Sequence, residues 1–166
     1  RALDEACYFH DIGKLEIEDE ILKWPGRLTQ RQFETIKTHP ERGARFIEEL
    51  PIPLRNRKII RNIVLYHHER WDGKGYPMGL AGERIPLEAR IVAVADTWDA
   101  MTSHRCYKKA LSVPEAVAEL KRVRGTQLDP KVVDVFLEIL DDILEKERKQ
   151  TDVKLKEKEH YTYASH

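Results

Sequence analysis

Apolar residues recur at helical spacing along most of the chain, and glycines and prolines separate the helical segments. The first segment has Leu3, Ala6, Cys7 and His10 on one face, and Gly13 is placed to end it. Only VKLKEKEHYTY, near the C-terminus, alternates in a way that a strand could use. The pattern therefore predicts an all-α fold, a bundle of about six or seven helices.

Local start and stop residues place the later helices. Thr29 with Gln32, and Ser112 with Glu115, have the spacing of capping boxes at two helix starts. Four further helices are predicted from prolines and apolar stripes: one opening just after His39, one over about 54–68, one from Pro86 and one from Asp129–Pro130.

The bulk composition excludes several classes of protein. The chain has 166 residues, which suits one domain with a sizeable core. Lys plus Arg and Asp plus Glu are each 29, and this zero net charge argues against a binder of nucleic-acid polymers. Cys7 and Cys106 are too few for a disulfide scaffold, and we find neither a signal peptide nor a membrane-length apolar run. We therefore expect a cytoplasmic protein whose segment makes no membrane contact.

Charge density changes near the C-terminus. Residues 141–160 are mostly charged, which is typical of a solvated helix end that frays into a tail. We predict one domain over 1–148 and a charged tail or extension over 149–166. Because the chain begins already in helical phase, we expect that material is missing upstream.

Histidines and aspartates stand where the predicted helices end or break, and one aspartate lies beside an apolar stripe. The six residues are His10, Asp11, His39, His67, His68 and Asp96. A mixed nitrogen and oxygen ligand set suits manganese, iron or zinc rather than calcium or magnesium alone. Two cations held in this way can lower the pKa of a shared water and hold it as hydroxide. A histidine taken singly is more often a hydrogen-bonded core residue, so the conjunction favours a metal centre.

Basic and aromatic residues near these positions suggest a ligand pocket. Lys14 follows HDIG and could hold a phosphate oxygen or position the nucleophile. Arg105 and Lys108 could clamp phosphate, or they could be ordinary surface charges. Trp71 and Tyr76 offer flat faces that could stack on a nucleobase.

Five segments in a fixed order resemble a known family. HDIGK, KTHPERG, HHERWDGKGYP, IPLEARIVAVADTWDAMTS and GTQLDPKVV together look like the HD-GYP domain, a branch of the HD phosphohydrolase superfamily. The resemblance covers nearly all of residues 1–140. It implies an all-helical HD-domain bundle with two or three divalent metal ions, iron or manganese first and zinc or nickel as alternatives. It also implies hydrolysis of the bacterial messenger cyclic di-GMP to pGpG, GMP or both, through a metal-bridged hydroxide.

The resemblance also assigns roles by position. The implied metal ligands are His10, Asp11, His39, His67, His68 and Asp96. Asp11, as a bridge between cations, and Lys14 would be catalytic. The implied substrate contacts are Lys14, Gly75, Tyr76, Pro77, Arg105 and Lys108.

The chain also departs from the family pattern. The family usually has a further histidine ligand well before the position of the His10–Asp11 pair, and the given sequence does not reach that position. We expect either that this helix is trimmed or that another segment replaces the ligand. The family often has Asp-Arg-Pro-Tyr-Arg where this chain has HRCYK at 104–108. These departures leave two alternatives open: a weak or inactive module that binds a cyclic dinucleotide or docks a partner, and a hydrolase of another cyclic dinucleotide. The family further implies an upstream sensory domain, and a homodimer stays open.

Overall fold

A computed structural model describes residues 8–51, 56–103 and 109–163 of the chain. The α-helices are α1 (Asp19–Leu22), α2 (Gln30–Ile36), α3 (His39–Glu49), α4 (Arg57–Tyr66), α5 (Leu87–Thr102), α6 (Val113–Val123) and α7 (Pro130–Tyr163). Two short 3-10 helices cover Ile12–Glu16 and Gly82–Arg84. Extended pairing within the described ranges is limited to isolated bridges. The all-α prediction is confirmed.

The helix starts follow from local chemistry. The Thr29 side chain accepts from the Gln32 amide at the start of α2, and Ser112 and Glu115 form the second predicted capping box before α6. Pro40 lies in the first turn of α3, where the missing N–H of a proline is harmless. The predicted first helix falls mainly on residues 1–7, which lie outside the described residues.

Two hydrophobic clusters share α5. In the first, Ile47 of α3 and Ile63 of α4 pack with Val92. In the second, Val94 packs with Leu120 of α6 and with Val133 in the first turn of α7. Because α5 contributes to both clusters, it holds the two halves of the bundle together.

The apolar spacing after Pro86 predicts an inner stripe of Leu87, Ile91, Val94, Ala95 and Trp98, and the buried face of α5 differs from it in part. Leu87 is 52% exposed and Ala95 is also exposed, whereas Ala89 and Val92 are buried. The segment IVAVA is apolar on all sides, so helical spacing alone could not select the buried face.

A close backbone approach brings the 3-10 helix at 12–16 against α3. A Cβ atom on Gly13 would lie 1.9 Å from the carbonyl oxygen of His39 and 2.6 Å from the amide nitrogen of Gly43. Only glycine fits at this distance, so Gly13 brings the Asp11 turn against the start of α3.

The loop between α4 and α5 is anchored on the α6–α7 turn. The backbone amides of Trp71 and Asp72 donate to the carbonyls of Gln127 and Thr126 at 3.1 and 2.8 Å. Beyond the loop, Arg90 of α5 forms an ion pair at 2.5 Å with the buried Asp129, which directly precedes α7. These contacts hold the loop beside α5 despite its four glycines.

The last helix continues to Tyr163, so VKLKEKEHYTY is helical and not a strand. The domain boundary at residue 148 stays a prediction. Among the described helices, none combines the length and the apolar character that crossing a membrane requires.

Candidate metal centre

Four side chains from three parts of the fold converge on one point. Asp11 follows a short helical stretch, His39 begins α3, and His67 and His68 directly follow α4. One ligand atom from each of these residues lies within 4.8 Å of all the others. Their spacing is compatible with coordination of a single cation.

The hydrogen bonds of two histidines set their tautomers. The Nδ1 atom of His39 lies 2.7 Å from the Ile36 carbonyl oxygen, and that of His67 lies 3.0 Å from the Val64 carbonyl oxygen. Since a carbonyl only accepts, Nδ1 of each ring carries the hydrogen and donates it. Each Nε2 atom therefore presents a lone pair toward the cluster, as metal-binding histidines do.

Three acceptor atoms in this cluster are buried with no hydrogen-bond partner in the described part of the chain. They are Nε2 of His39, Nε2 of His67 and Oδ1 of Asp11. Burying a polar atom without a partner is costly, and a divalent cation would satisfy all three at once. The residues thus fit a metal ion.

The electrostatics keep these ligands in their metal-binding forms. Burial, followed by the neighbouring imidazoles, lowers the pKa of His67 to about 4 and that of His68 to about 2. Burial alone would raise the pKa of Asp11, but the Lys14 ammonium, which donates a hydrogen bond to this carboxylate, outweighs that effect and lowers the pKa well below its usual range. At neutral pH these histidines are uncharged and the carboxylate is ionised, as metal binding requires.

The second oxygen of Asp11 faces a different set of groups. Oδ2 lies 2.6 Å from the Lys14 ammonium and 3.5 Å from Nε2 of His10. The same His10 atom lies 3.9 Å from Oδ1 of Asp96 on α5. The Asp11 carboxylate therefore stands between two groups of donors, which is the placement that a bridging carboxylate needs.

A cavity opens beside the cluster. Its volume is about 560 Å³, and its walls include His67, His68, Asp96 and Tyr76. The Tyr76 ring stacks on His68 with centroids 4.8 Å apart and planes 25° apart. Burial raises the pKa of Tyr76 to about 12, so its hydroxyl keeps its proton at neutral pH. The cavity is large enough for a small organic ligand.

The sequence of the chain matches a known protein family over most of its length. The profile of the family described as HD domain matches residues 1–132. The chain belongs to the HD domain family.

Similar proteins carry longer chains around this HD domain. The cyclic di-GMP phosphodiesterase response regulator RpfG of Xanthomonas campestris is 47% identical over 139 residues, which cover 82% of this chain and 36% of the relative. A cyclic di-GMP phosphodiesterase of Thermotoga maritima is 42% identical over 147 residues, which cover 89% of this chain and 39% of the relative. The chain thus spans well under half the length of these curated relatives.

A solved structure supports the fold alone. A cyclic GMP-AMP specific phosphodiesterase from V. cholerae superposes with a TM-score of 0.60 at 20% identity, over 84% of this chain and 38% of that chain. Its backbone arrangement is therefore shared with this HD domain.

The HD domain brings most of the predicted site residues together. The six predicted metal ligands all lie at or beside the cluster, and Lys14 contacts Asp11. Gly75, Tyr76 and Pro77 form part of the loop that folds against His68. Arg105 and Lys108 lie outside the described residues. The roles of all these residues as ligands or substrate contacts stay predictions.

Trp71 has a different place from the one predicted. Its ring lies under the Arg90 guanidinium, with 5.8 Å between the guanidinium carbon and the ring centroid. This contact packs the loop against α5, so a structural role explains Trp71 better than nucleobase stacking does.

Sequence reasoning missed two residues beside the site. The Lys37 ammonium lies 5.7 Å from the Tyr76 ring centroid, on the segment just before His39. Glu69 is buried and its carboxylate accepts two backbone hydrogen bonds from the glycine-rich loop. An acidic residue directly after two candidate ligands is a clue, but only the structure reveals that Glu69 is buried.

Proposed function

We propose that this HD domain is a metal-dependent phosphodiesterase that hydrolyses cyclic di-GMP to pGpG, GMP or both. The observation that carries the proposal is the set of three buried, unpartnered acceptor atoms on Asp11, His39 and His67 beside a cavity. The printed names of two similar proteins as cyclic di-GMP phosphodiesterases support the substrate class. We further propose that the protein binds its substrate in the cytoplasm and that an upstream sensory domain controls its activity.

The proposal divides the candidate ligands into two sets. Asp11, His39, His67 and His68 would hold one divalent cation, and Asp11, His10 and Asp96 would hold a second. This mixed donor set suits iron or manganese, with zinc or nickel as alternatives. When bound, such cations lower the pKa of a water molecule and neutralise charge on a phosphate.

The residues of the chain itself would bind and orient the nucleotide. Lys14 places a positive charge at the edge of the cluster, 2.6 Å from Asp11, where it can pair with a phosphate oxygen. Tyr76 forms part of the cavity wall and keeps a proton that it can donate to the ligand. Arg105 and Lys108 remain proposed phosphate contacts, as the resemblance implies.

A turnover experiment tests this function. The full chain, purified with iron and manganese available, is incubated with cyclic di-GMP, and the products are separated by chromatography. We expect pGpG or GMP from the wild-type protein and a loss of about 100-fold or more for Asp11→Asn. Asp19→Asn, which changes an exposed aspartate paired with Lys23, is the matched control and should retain activity.

Other outcomes would change the proposal. Equal turnover by Asp11→Asn would exclude this cluster as the reaction centre. Faster hydrolysis of a different cyclic dinucleotide in the same assay would change the substrate. Tight binding of cyclic di-GMP without products from metal-loaded protein would favour an inactive binding module.

A further inference from the structure

We propose that Glu69 is a positioning residue, whose buried carboxylate holds the segment 76–80 so that Tyr76 lies against His68 at the cavity wall. The inference rests on the proposed function, because it gives that contact a role in binding the nucleotide.

Both oxygens of the Glu69 carboxylate are used by backbone amides. Oε1 accepts from the Met78 amide at 2.6 Å, and Oε2 accepts from the Leu80 amide at 3.0 Å. The residue is only 5% exposed. Hydrogen bonds to an ionised carboxylate are stronger than neutral ones, and a buried carboxylate requires them. Glu69 therefore fixes two alternate residues of the loop at once.

The chain folds back onto itself just before this segment. A Cβ atom on Gly75 would lie 2.4 Å from the amide nitrogen of Arg70 and 2.6 Å from the Cα atom of Glu69. The next amide, that of Tyr76, donates to the His68 carbonyl at 3.3 Å. Because Gly75 has no side chain, the two backbone segments can touch. Glu69 then holds the segment 76–80 in place.

This fold-back determines where the Tyr76 ring lies. One face of the ring stacks on His68, and the Lys37 ammonium lies 5.7 Å from the ring centroid. The bonds of Glu69 are separate from the backbone bond that orients His67. Loosening Glu69 should therefore release Tyr76 while the histidine cluster keeps its arrangement, so substrate binding should suffer more than metal binding.

Variants at Glu69 separate this role from general stability. Glu69→Gln keeps the shape but removes the charge and replaces one acceptor oxygen with an amide NH₂ group. Glu69→Asp keeps the charge but shortens the side chain. Glu83→Gln is the matched control, because Glu83 belongs to the same loop and its side chain is 73% exposed.

The metal-loaded wild-type and variant chains are compared by three measurements: hydrogen exchange of amides in 76–80, metal content, and kcat and KM with cyclic di-GMP. For Glu69→Gln we expect amide exchange in 76–80 to speed up about tenfold and KM to rise about tenfold. Metal content should stay at the wild-type level and kcat should change by less than about threefold. Glu69→Asp should fall between wild type and Glu69→Gln, and Glu83→Gln should match wild type.

Two results would overturn the role of Glu69. One is unchanged exchange in 76–80 in Glu69→Gln. The other is faster exchange spread over all helices together with loss of metal, which would make Glu69 a general stabiliser. If Glu69→Gln does not fold, Glu69→Asp decides by the same criteria. If wild type produces no hydrolysis, the proposed function fails, while the exchange data still support or overturn the positioning of the loop by Glu69.

Discussion

Nε2 of His39 lies 3.3 Å from Oδ1 of Asp11, and within the described ranges both atoms are buried without a hydrogen-bond partner. The other nitrogen of the His39 ring donates to Ile36, so Nε2 presents a lone pair to an ionised oxygen. Two acceptors that face each other repel, and a cation between them converts that repulsion into coordination. The pair is therefore the most direct structural argument for a metal centre.

Removal of metal should destabilise the folded chain. A cation that binds the folded state but not the unfolded one adds about 2.7 kcal/mol at a concentration 100 times its Kd. We expect a chelator to lower the Tm by several degrees, and re-addition of manganese to restore it. The measurement is thermal unfolding by circular dichroism. Asp11→Asn should show a much smaller metal-dependent shift, and an unchanged Tm for chelated wild type would contradict the metal centre.

The metal-free protein should lose stability as pH falls from about 6.5, the ordinary pKa of histidine. His67 and His68 have folded pKa values lowered to about 4 and about 2. Between these values and 6.5 the unfolded chain binds more protons than the folded one, so acid favours unfolding, by about 1.4 kcal/mol per pH unit for each histidine. Urea unfolding of chelated protein at pH 7 and pH 5 measures this effect. His68→Gln should make the free energy of unfolding depend less steeply on pH. An equally steep dependence in the variant and the wild type would contradict the proposed effect of His68.

Gly13→Ala should disrupt the contact that brings the Asp11 turn against α3. The added Cβ would lie 1.9 Å from the His39 carbonyl oxygen, a backbone atom that cannot rotate away. We expect a loss of more than about 2 kcal/mol in the free energy of unfolding and weaker metal binding. The control is Gly26→Ala, whose Cβ would have its nearest contact among the described residues 3.2 Å away, on the Trp24 side chain. Equal stabilities for the two variants in denaturant titrations would show that the close approach is unimportant.

The Arg90–Asp129 pair should matter far more than an exposed pair. Asp129 is nearly fully buried, and its carboxylate also accepts from the Lys131 amide at the start of α7. Asp129→Ala would leave the Arg90 charge buried without its partner, which typically costs about 3–5 kcal/mol. Asp134→Ala breaks an exposed pair with Arg124 and should cost far less, because solvent screens the attraction between exposed charges. Chemical denaturation of both variants measures the difference, and similar losses would refute this ranking.

The sequence predicts those features that depend on neighbouring residues. The capping boxes at Thr29 and Ser112 need only residues three positions apart, and both form as predicted. The residue types of the six candidate ligands, and their places at helix ends and along an apolar stripe, indicate a metal centre from the sequence alone. The structure brings these ligands together because the 3-10 helix at 12–16 and the helices α3, α4 and α5 converge.

Features that depend on distant packing were missed. The buried face of α5 could not be selected because IVAVA is apolar on every side, and it depends on how α4 and α6 pack. Glu69 is buried because the loop folds back and places the Met78 and Leu80 amides against its carboxylate. No local sequence pattern predicts this contact. The same holds for Lys37, whose approach to Tyr76 joins two separate segments.

An anomalous-scattering map of crystals grown from metal-loaded protein tests the central claim most directly. Data collected on both sides of the iron and manganese absorption edges locate each cation and identify its element. We predict one peak among Asp11, His39, His67 and His68, within about 2.3 Å of the Nε2 atoms of His39 and His67. A second peak should lie between His10 and Asp96. A map with no peak at the cluster, from protein shown to contain metal, would contradict the account.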